Sequence, residues 1–210
     1  MFPLRDDNPT LRHSVMTFLL IAANALVWIA VQGMGIEPWL TKSVFSYGII
    51  PGKLLEAIRH WTALPIGPGL EYMLHRRANW EALLTSMFMH GGWFHIIGNM
   101  WFLAIFGDNV EDAMGPFVFL FFYVVCGLAA AWAHIFMNPS SALPMVGASG
   151  AISGVMGAYV MLYPRAPVHV LVFFGFFFTR IIVPAYLMLG YWFMLQVLCG
   201  PDEQKEVKMF

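Results

Sequence analysis

Between Pro116 and Met137 the chain carries no formal charge, and that one run restricts it severely. A helix needs about 20 mostly apolar residues to cross the hydrocarbon core of a bilayer. Inside lipid the backbone has no water to bond, so only a helix or a closed barrel is admissible. Comparable runs cover Ser14 to Gln32, Leu83 to Phe106 (interrupted by His90-Gly91-Gly92), Gly147 to Tyr163, and Ile181 to about Leu198. Val168 to Phe178 is too short to cross and is expected at the interface or half-buried. Hydrophobic residues make up 60% of the chain and charged residues 11%, where soluble domains carry about 25% charged. The expected fold class is therefore all-α: a polytopic membrane helical bundle of about five transmembrane helices.

Gly33 to Trp80 reads differently. It holds Lys42, Lys53, Glu56, Arg59, Glu71, Arg76 and Arg77, and it is broken by Pro51, Pro65 and Pro68. Trp39, Trp61 and Trp80 suit a membrane–water interface. One large structured loop is expected, with short amphipathic helices near Lys53 to His60 and Glu71 to Arg77. Arg5 and Arg12 precede the first span, and Arg165 and Arg180 separate the fourth from the fifth. Short-loop arginines mark the cytoplasmic side, so the N-terminus is expected in the cytoplasm and the large loop outside. No small-residue cleavage motif follows the first span, which is read as retained. Residues 1–200 are taken as one membrane domain and 201–210 as a polar tail.

A net charge of −1 and the lack of a basic patch exclude nucleic acid as a partner. The lipid bilayer is the expected surrounding. Cys126 and Cys199 lie in apolar runs and make no disulfide framework. No histidine pair has the H-E-x-x-H spacing of a zinc site, so no metal is expected.

The residues suited to chemistry fall in two spans. Ser149 sits in Gly147-Ala148-Ser149-Gly150, at the opening of the fourth span. A polar side chain at membrane depth is expensive and commonly functional. Small residues also let helices approach closely, and Gly150-x-x-x-Gly154 is a packing motif. Ser149 is thus open to two readings, nucleophile or packing residue. The soluble hydrolase elbow G-x-S-x-G is not matched, because position 151 is alanine. His95 and Asn99, four residues apart, share one helical face. They can aim donors at one small volume as oxyanion-hole groups, or bridge helices by hydrogen bonds. Asp108, Glu111 and Asp112 are expected to form a helix-end cluster, not an acid–base pair. His90 is expected to shape the mouth of the second span and His134 to be a packing residue. His13, His60, His75 and His169 belong to loops or span edges.

Three segments together resemble the rhomboid family of intramembrane serine proteases. They are HGGWFHIIGN (His90 to Asn99), FGDNVED (Phe106 to Asp112) and GASGAISG (Gly147 to Gly154). The likeness runs from about Asn8 to Gly200. It implies a rhomboid-like bundle whose large external loop follows the first span, in a multi-pass protein of a bacterial inner membrane. It implies a serine endopeptidase that cleaves transmembrane protein substrates through a Ser–His dyad, with no cofactor. By the resemblance Ser149 matches the nucleophile, and His95, Asn99 and Gly147 match the oxyanion-stabilising positions. Glu111 matches a supporting acidic residue.

The sequence departs from the family in three places. Trp80-Glu81 stands where Trp-Arg is common, and Ser153 where a tyrosine can pack on the catalytic ring. More seriously, the family's catalytic histidine lies on a sixth span, in a setting like A-H-I-G-G. Here no histidine follows His169. A serine without an adjacent base is a weak nucleophile, and His95 would have to leave its oxyanion role to serve. The chain is therefore expected to hold no general base, to be truncated before the last helix, and to be inactive alone. Gly150, Gly154 and Gly157 are expected to lie uncovered without that helix. The alternative is a non-catalytic rhomboid-like protein that binds transmembrane segments. Oligomeric state is not specified by the sequence.

Overall fold

The computed structural model describes residues 2–59, 80–174 and 177–199. In chain order these form β1 (Phe2–Asp6), α1 (Val15–Ala30), α2 (Trp39–Tyr47), α3 (Pro51–Arg59), α4 (Ala82–Thr85), α5 (Trp93–Met114), α6 (Pro116–Met137), α7 (Ser149–Leu162), β2 (Pro167–Phe174), β3 (Phe177–Pro184) and α8 (Ala185–Cys199). The chain is mostly helical, as its apolar runs imply. Among the described residues α6 is the helix long and apolar enough to cross a membrane, while α1, α7 and the first part of α8 are apolar but shorter. By those two criteria one of the five expected spans qualifies among the described residues. The amphipathic helix expected near Lys53 corresponds to α3. The one expected near Glu71 to Arg77 and the tail 201–210 lie outside the described residues.

The expected second span is displaced. Gly91-Gly92 interrupt the backbone, so α5 starts at Trp93 and is preceded only by α4 and a 3-10 turn, Ser86–Phe88. It then runs through Asp108, Glu111 and Asp112 to Met114. Gly115, at φ 80°, ends it and Pro116 opens α6. A proline there loses no needed N–H, because the first helical N–H groups have no partner within the helix.

The all-α expectation needs correction. Pro167–Phe174 and Phe177–Pro184 form an antiparallel hairpin, and β1 pairs with the other side of β2, giving the order β1-β2-β3. The short apolar piece at Val168 and the first residues of the expected fifth span are therefore strands. The cause lies in the residues. Val168, Val170 and Val172 are buried on one face while His169 and Leu171 alternate with them, and β-branched side chains at period 2 suit a pleated sheet.

Leu103, Phe106, Phe119, Tyr123, Val155 and Tyr159 form a core cluster contributed by α5, α6 and α7. Phe106 meets Tyr159 nearly edge-on at 5.0 Å, which adds about 0.5–1.5 kcal/mol beyond burial. Apolar contact does not drive helices together in lipid; close packing of small residues does. α6 and α7 pack in that way. Gly150 lies against Ala130, Gly154 against Cys126, and Gly127 against Met87 and Ala151. A Cβ at Gly150 or Gly154 would collide with α6. The expectation of an uncovered glycine stripe is thus corrected: α6 fills two of its three positions, and only Gly157 meets open space.

The acidic end of α5 fastens the start of the chain. Glu111 accepts hydrogen bonds from the backbone N–H of Met16 (2.8 Å) and Thr17 (2.7 Å) and from the Thr17 hydroxyl (2.7 Å). Those N–H groups belong to the first turn of α1, where no intrahelical partner exists and negative charge is favoured. Asp112 accepts from the N–H groups of Leu11 (2.8 Å) and Arg12 (3.0 Å). Asp6 accepts from the Tyr159 hydroxyl and from Asn109 Nδ2 at 3.1 Å. Asp7 pairs with His169 at 2.7 Å and with Arg5 at 3.5 Å. These bonds make the acidic residues a helix-end cluster, as expected. Burial pushes the Asp6 carboxyl above its ordinary range, against the pull of the Tyr159 hydrogen bond. The hydrogen bond to His169 holds Asp7 below its ordinary range.

Candidate active site

His95 and Asn99 stand one turn apart near the start of α5, and Asn99 Nδ2 donates to the His95 carbonyl at 2.9 Å. That bond uses one of the two amide hydrogens and leaves the other for the cleft. The Gly91 N–H donates to His95 Nδ1 at 3.3 Å. A ring nitrogen that accepts a hydrogen bond is unprotonated, so the neutral imidazole carries its proton on Nε2. Nε2 faces Gly147, where an added Cβ would lie 2.7 Å from it. Gly147 also has φ 124°, a conformation that side-chain-bearing residues rarely adopt. Space and backbone geometry both demand glycine there.

Ser149 opens α7, and the turn before it is tied down from the first-loop side. Ile49 and Met145 exchange backbone hydrogen bonds of 3.0 and 2.7 Å, and the Gly147 N–H donates to the Ser86 carbonyl at 2.9 Å. Gly52 N–H donates to the Ser141 carbonyl at 3.0 Å. The expected large loop therefore braces the segment that delivers the serine. Ser149 itself is half-buried, and its hydroxyl makes no hydrogen bond among the described residues.

These residues converge. A cleft of about 640 Å³ is lined by His95, Asn99 and Ser149, together with Gly91, Phe102 and Trp192. A smaller cavity of about 210 Å³ is lined by Ser149, Gly147, Ser86 and His134. His134, expected only to pack, thus borders a space shared with the serine. Among the described residues the histidines lining either cavity are His95 and His134. Phe102 and Trp192 had no sequence signal, being apolar residues inside apolar helices. His90 is fully buried, with its ring nearly edge-on to that of His95 at 5.2 Å.

The arrangement can stabilise negative charge on an oxygen held near Ser149. His95 Nε2–H and the second Asn99 amide hydrogen are side-chain donors. The Ser149 N–H, in the first turn of α7, has no intrahelical partner and is a third.

A family model described as the Rhomboid domain matches residues 77–206. Rhomboid protease GluP of Bacillus subtilis is 34% identical over 125 residues, which are 59% of this chain and 23% of that protein. Rhomboid-like protein 11, chloroplastic, of Arabidopsis thaliana is 34% identical over 91 residues, covering 43% of this chain and 32% of its own. Putative rhomboid protease YdcA of Bacillus subtilis is 30% identical over 83 residues, 40% of this chain and 41% of its own. The chain thus spans less than half the length of each of these relatives.

Proposed function

The chain belongs to the rhomboid family, and on that premise we propose that it carries the nucleophile half of an intramembrane serine endopeptidase acting on transmembrane protein substrates. The observation that carries this reading is the single cleft shared by Ser149, His95 and Asn99. Ser149 Oγ attacks the scissile carbonyl, whose oxygen becomes anionic. His95 Nε2–H, Asn99 Nδ2–H and the Ser149 N–H take that charge, and Gly147 leaves room for it. Each such donor contributes about a hundred- to a thousandfold in rate.

His95 is not the base in this reading. Its Nδ1 is engaged as an acceptor by Gly91, so Nε2 arrives already protonated. The base reaches Ser149 from outside the described residues. The exposed face of α7 has room for it: Ser153 and Gly157 are exposed, and a Cβ added at Gly157 would meet nothing within 4 Å among the described residues. A histidine-bearing helix seated there completes the dyad. The protein is a multi-pass protein of the bacterial inner membrane, with the sheet on the cytoplasmic side and the cleft toward the outer face.

The test is a serine-directed fluorophosphonate probe, applied to the chain in bilayers with and without a co-expressed helix carrying Ala-His-x-Gly-Gly. Labelling of Ser149 should appear only with the helix. No labelling in either case, beside a labelled active family member, would leave the non-catalytic binding of transmembrane segments as the better reading.

A further inference from the structure

Gln32 lies where α1 gives way to the 3-10 turn Gly33–Gly35, and it is fully buried. Its side chain grips one residue twice. Oε1 accepts the His90 N–H at 2.8 Å, and Nε2 donates to the His90 carbonyl at 2.7 Å. That carbonyl belongs to the same planar peptide unit as the Gly91 N–H. The Gly91 N–H in turn donates to His95 Nδ1 at 3.3 Å. One continuous chain of hydrogen bonds therefore runs from the Gln32 amide, through the His90–Gly91 peptide, to the imidazole.

Hydrogen bonds in series polarise one another. A carbonyl that accepts from Gln32 makes its partner N–H a better donor, and a better donor at Nδ1 keeps that nitrogen unprotonated. The ring of His90, nearly edge-on to His95 at 5.2 Å, bounds the imidazole on another side. We infer that Gln32 is a positioning residue: through the His90–Gly91 peptide it fixes His95 in the Nε2–H tautomer, so that the ring presents a donor beside Ser149. This rests on the oxyanion role of His95 proposed above. It places control of that role just past the end of α1, at a residue that does not line the cleft.

The experiment is nitrogen NMR of the chain in nanodiscs with 15N-labelled histidine, the His95 signals being assigned with His95→Gln. In the wild type, Nδ1 should be bare and Nε2 protonated. Gln32→Met keeps the side-chain length and removes both bonds, so His95 should become a mixture of tautomers. With the histidine-bearing helix supplied, probe labelling of Ser149 should slow at least tenfold. Gln32→Glu reproduces the clamp only while its carboxyl is protonated. In that variant the His95 tautomer should switch as the carboxyl titrates, a transition for which the wild type has no carboxyl at position 32. A purely structural role would not produce that switch, and the comparison is internal to one folded protein should Gln32→Met fail to fold. A wild-type proton on Nδ1, an unchanged His95 signal in Gln32→Met, or no switch in Gln32→Glu would overturn the inference. If the tautomers respond as described but Ser149 is never labelled, the proposed protease function falls and the positioning role stands.

Discussion

The two ends of α5 treat polar side chains in opposite ways. At the acidic end, Glu111 and Asp112 are taken up by backbone N–H groups of the first helix and its approach, and Asp6 by Tyr159 and Asn109. At the other end the Ser149 hydroxyl is unengaged among the described residues, and Asn99 spends one hydrogen on its own helix. Buried polar groups are normally bonded within the protein. Where a polar group instead lines a cleft with capacity to spare, its partner is something that arrives. On the proposed function, the contrast separates residues that hold the fold from residues that face the substrate.

The sharpest way to break that contrast is Ser149→Ala. The hydroxyl has no partner among the described residues, so the melting temperature should hardly change, while the probe labelling seen with the histidine-bearing helix supplied vanishes. Labelling that persists would remove Ser149 from the chemistry. Next comes Asn99→Ala, which, with the histidine-bearing helix supplied, should lower the rate about a hundred- to a thousandfold, in kcat and not in KM. A change confined to KM would make Asn99 a binding group only.

Glu111→Ala probes the opposite end. It strands two backbone N–H groups at the start of α1 and should cost about 1–3 kcal/mol, read as a lower melting temperature. Labelling per folded molecule should be unchanged. If labelling fell without a loss of stability, the two ends would be coupled and the contrast would fail.

The smallest effects are in pH. Asp7 sits below its ordinary value of 3.8 when folded, so its contribution is complete above 3.8 and is lost as pH falls through the depressed value. Asp7→Asn should therefore melt slightly below the wild type at neutral pH and match it in strong acid. Asp6 has the opposite sign. Its folded value is raised above 3.8, so its contribution is complete below 3.8 and fades as pH rises through the raised value. Asp6→Asn should gain on the wild type as pH rises. Melting curves across pH that moved in the same direction for both variants would show that the two carboxylates do not act separately.

The residues that line the cleft together carried local signals in the sequence. Helical spacing put His95 and Asn99 on one face but left their role open, and the glycines around Ser149 fitted packing as well as chemistry; the motifs that resemble the rhomboid family singled the three out. What the sequence hid was long-range. Trp192 reaches the cleft only because α8 turns back toward α5, and nothing in an apolar helix announces that. Gln32 read as the end of a span, since its bond to His90 joins residues far apart in the chain. The hairpin was missed for a different reason. Val168 to Phe178 looks like a fragment of a span when only hydrophobicity is counted. The alternation of buried valines with His169 and Leu171 is the strand period, and it outweighs apolarity once β1 supplies a partner. The glycine stripe was read as needing a further helix, yet Ala130 and Cys126 on α6 were already small enough to fill it.

The pairing of β1 with β2 has a consequence for how the protein is made. Phe2 lies opposite Leu171 and Asp6 opposite Val168, so β1 cannot pair until the helices α1 to α7, which lie between it and β2 in the chain, have been made. During that interval its backbone edge is unpaired. Tags and fusions are most often placed ahead of such a segment. In this protein they would burden a contact that closes late.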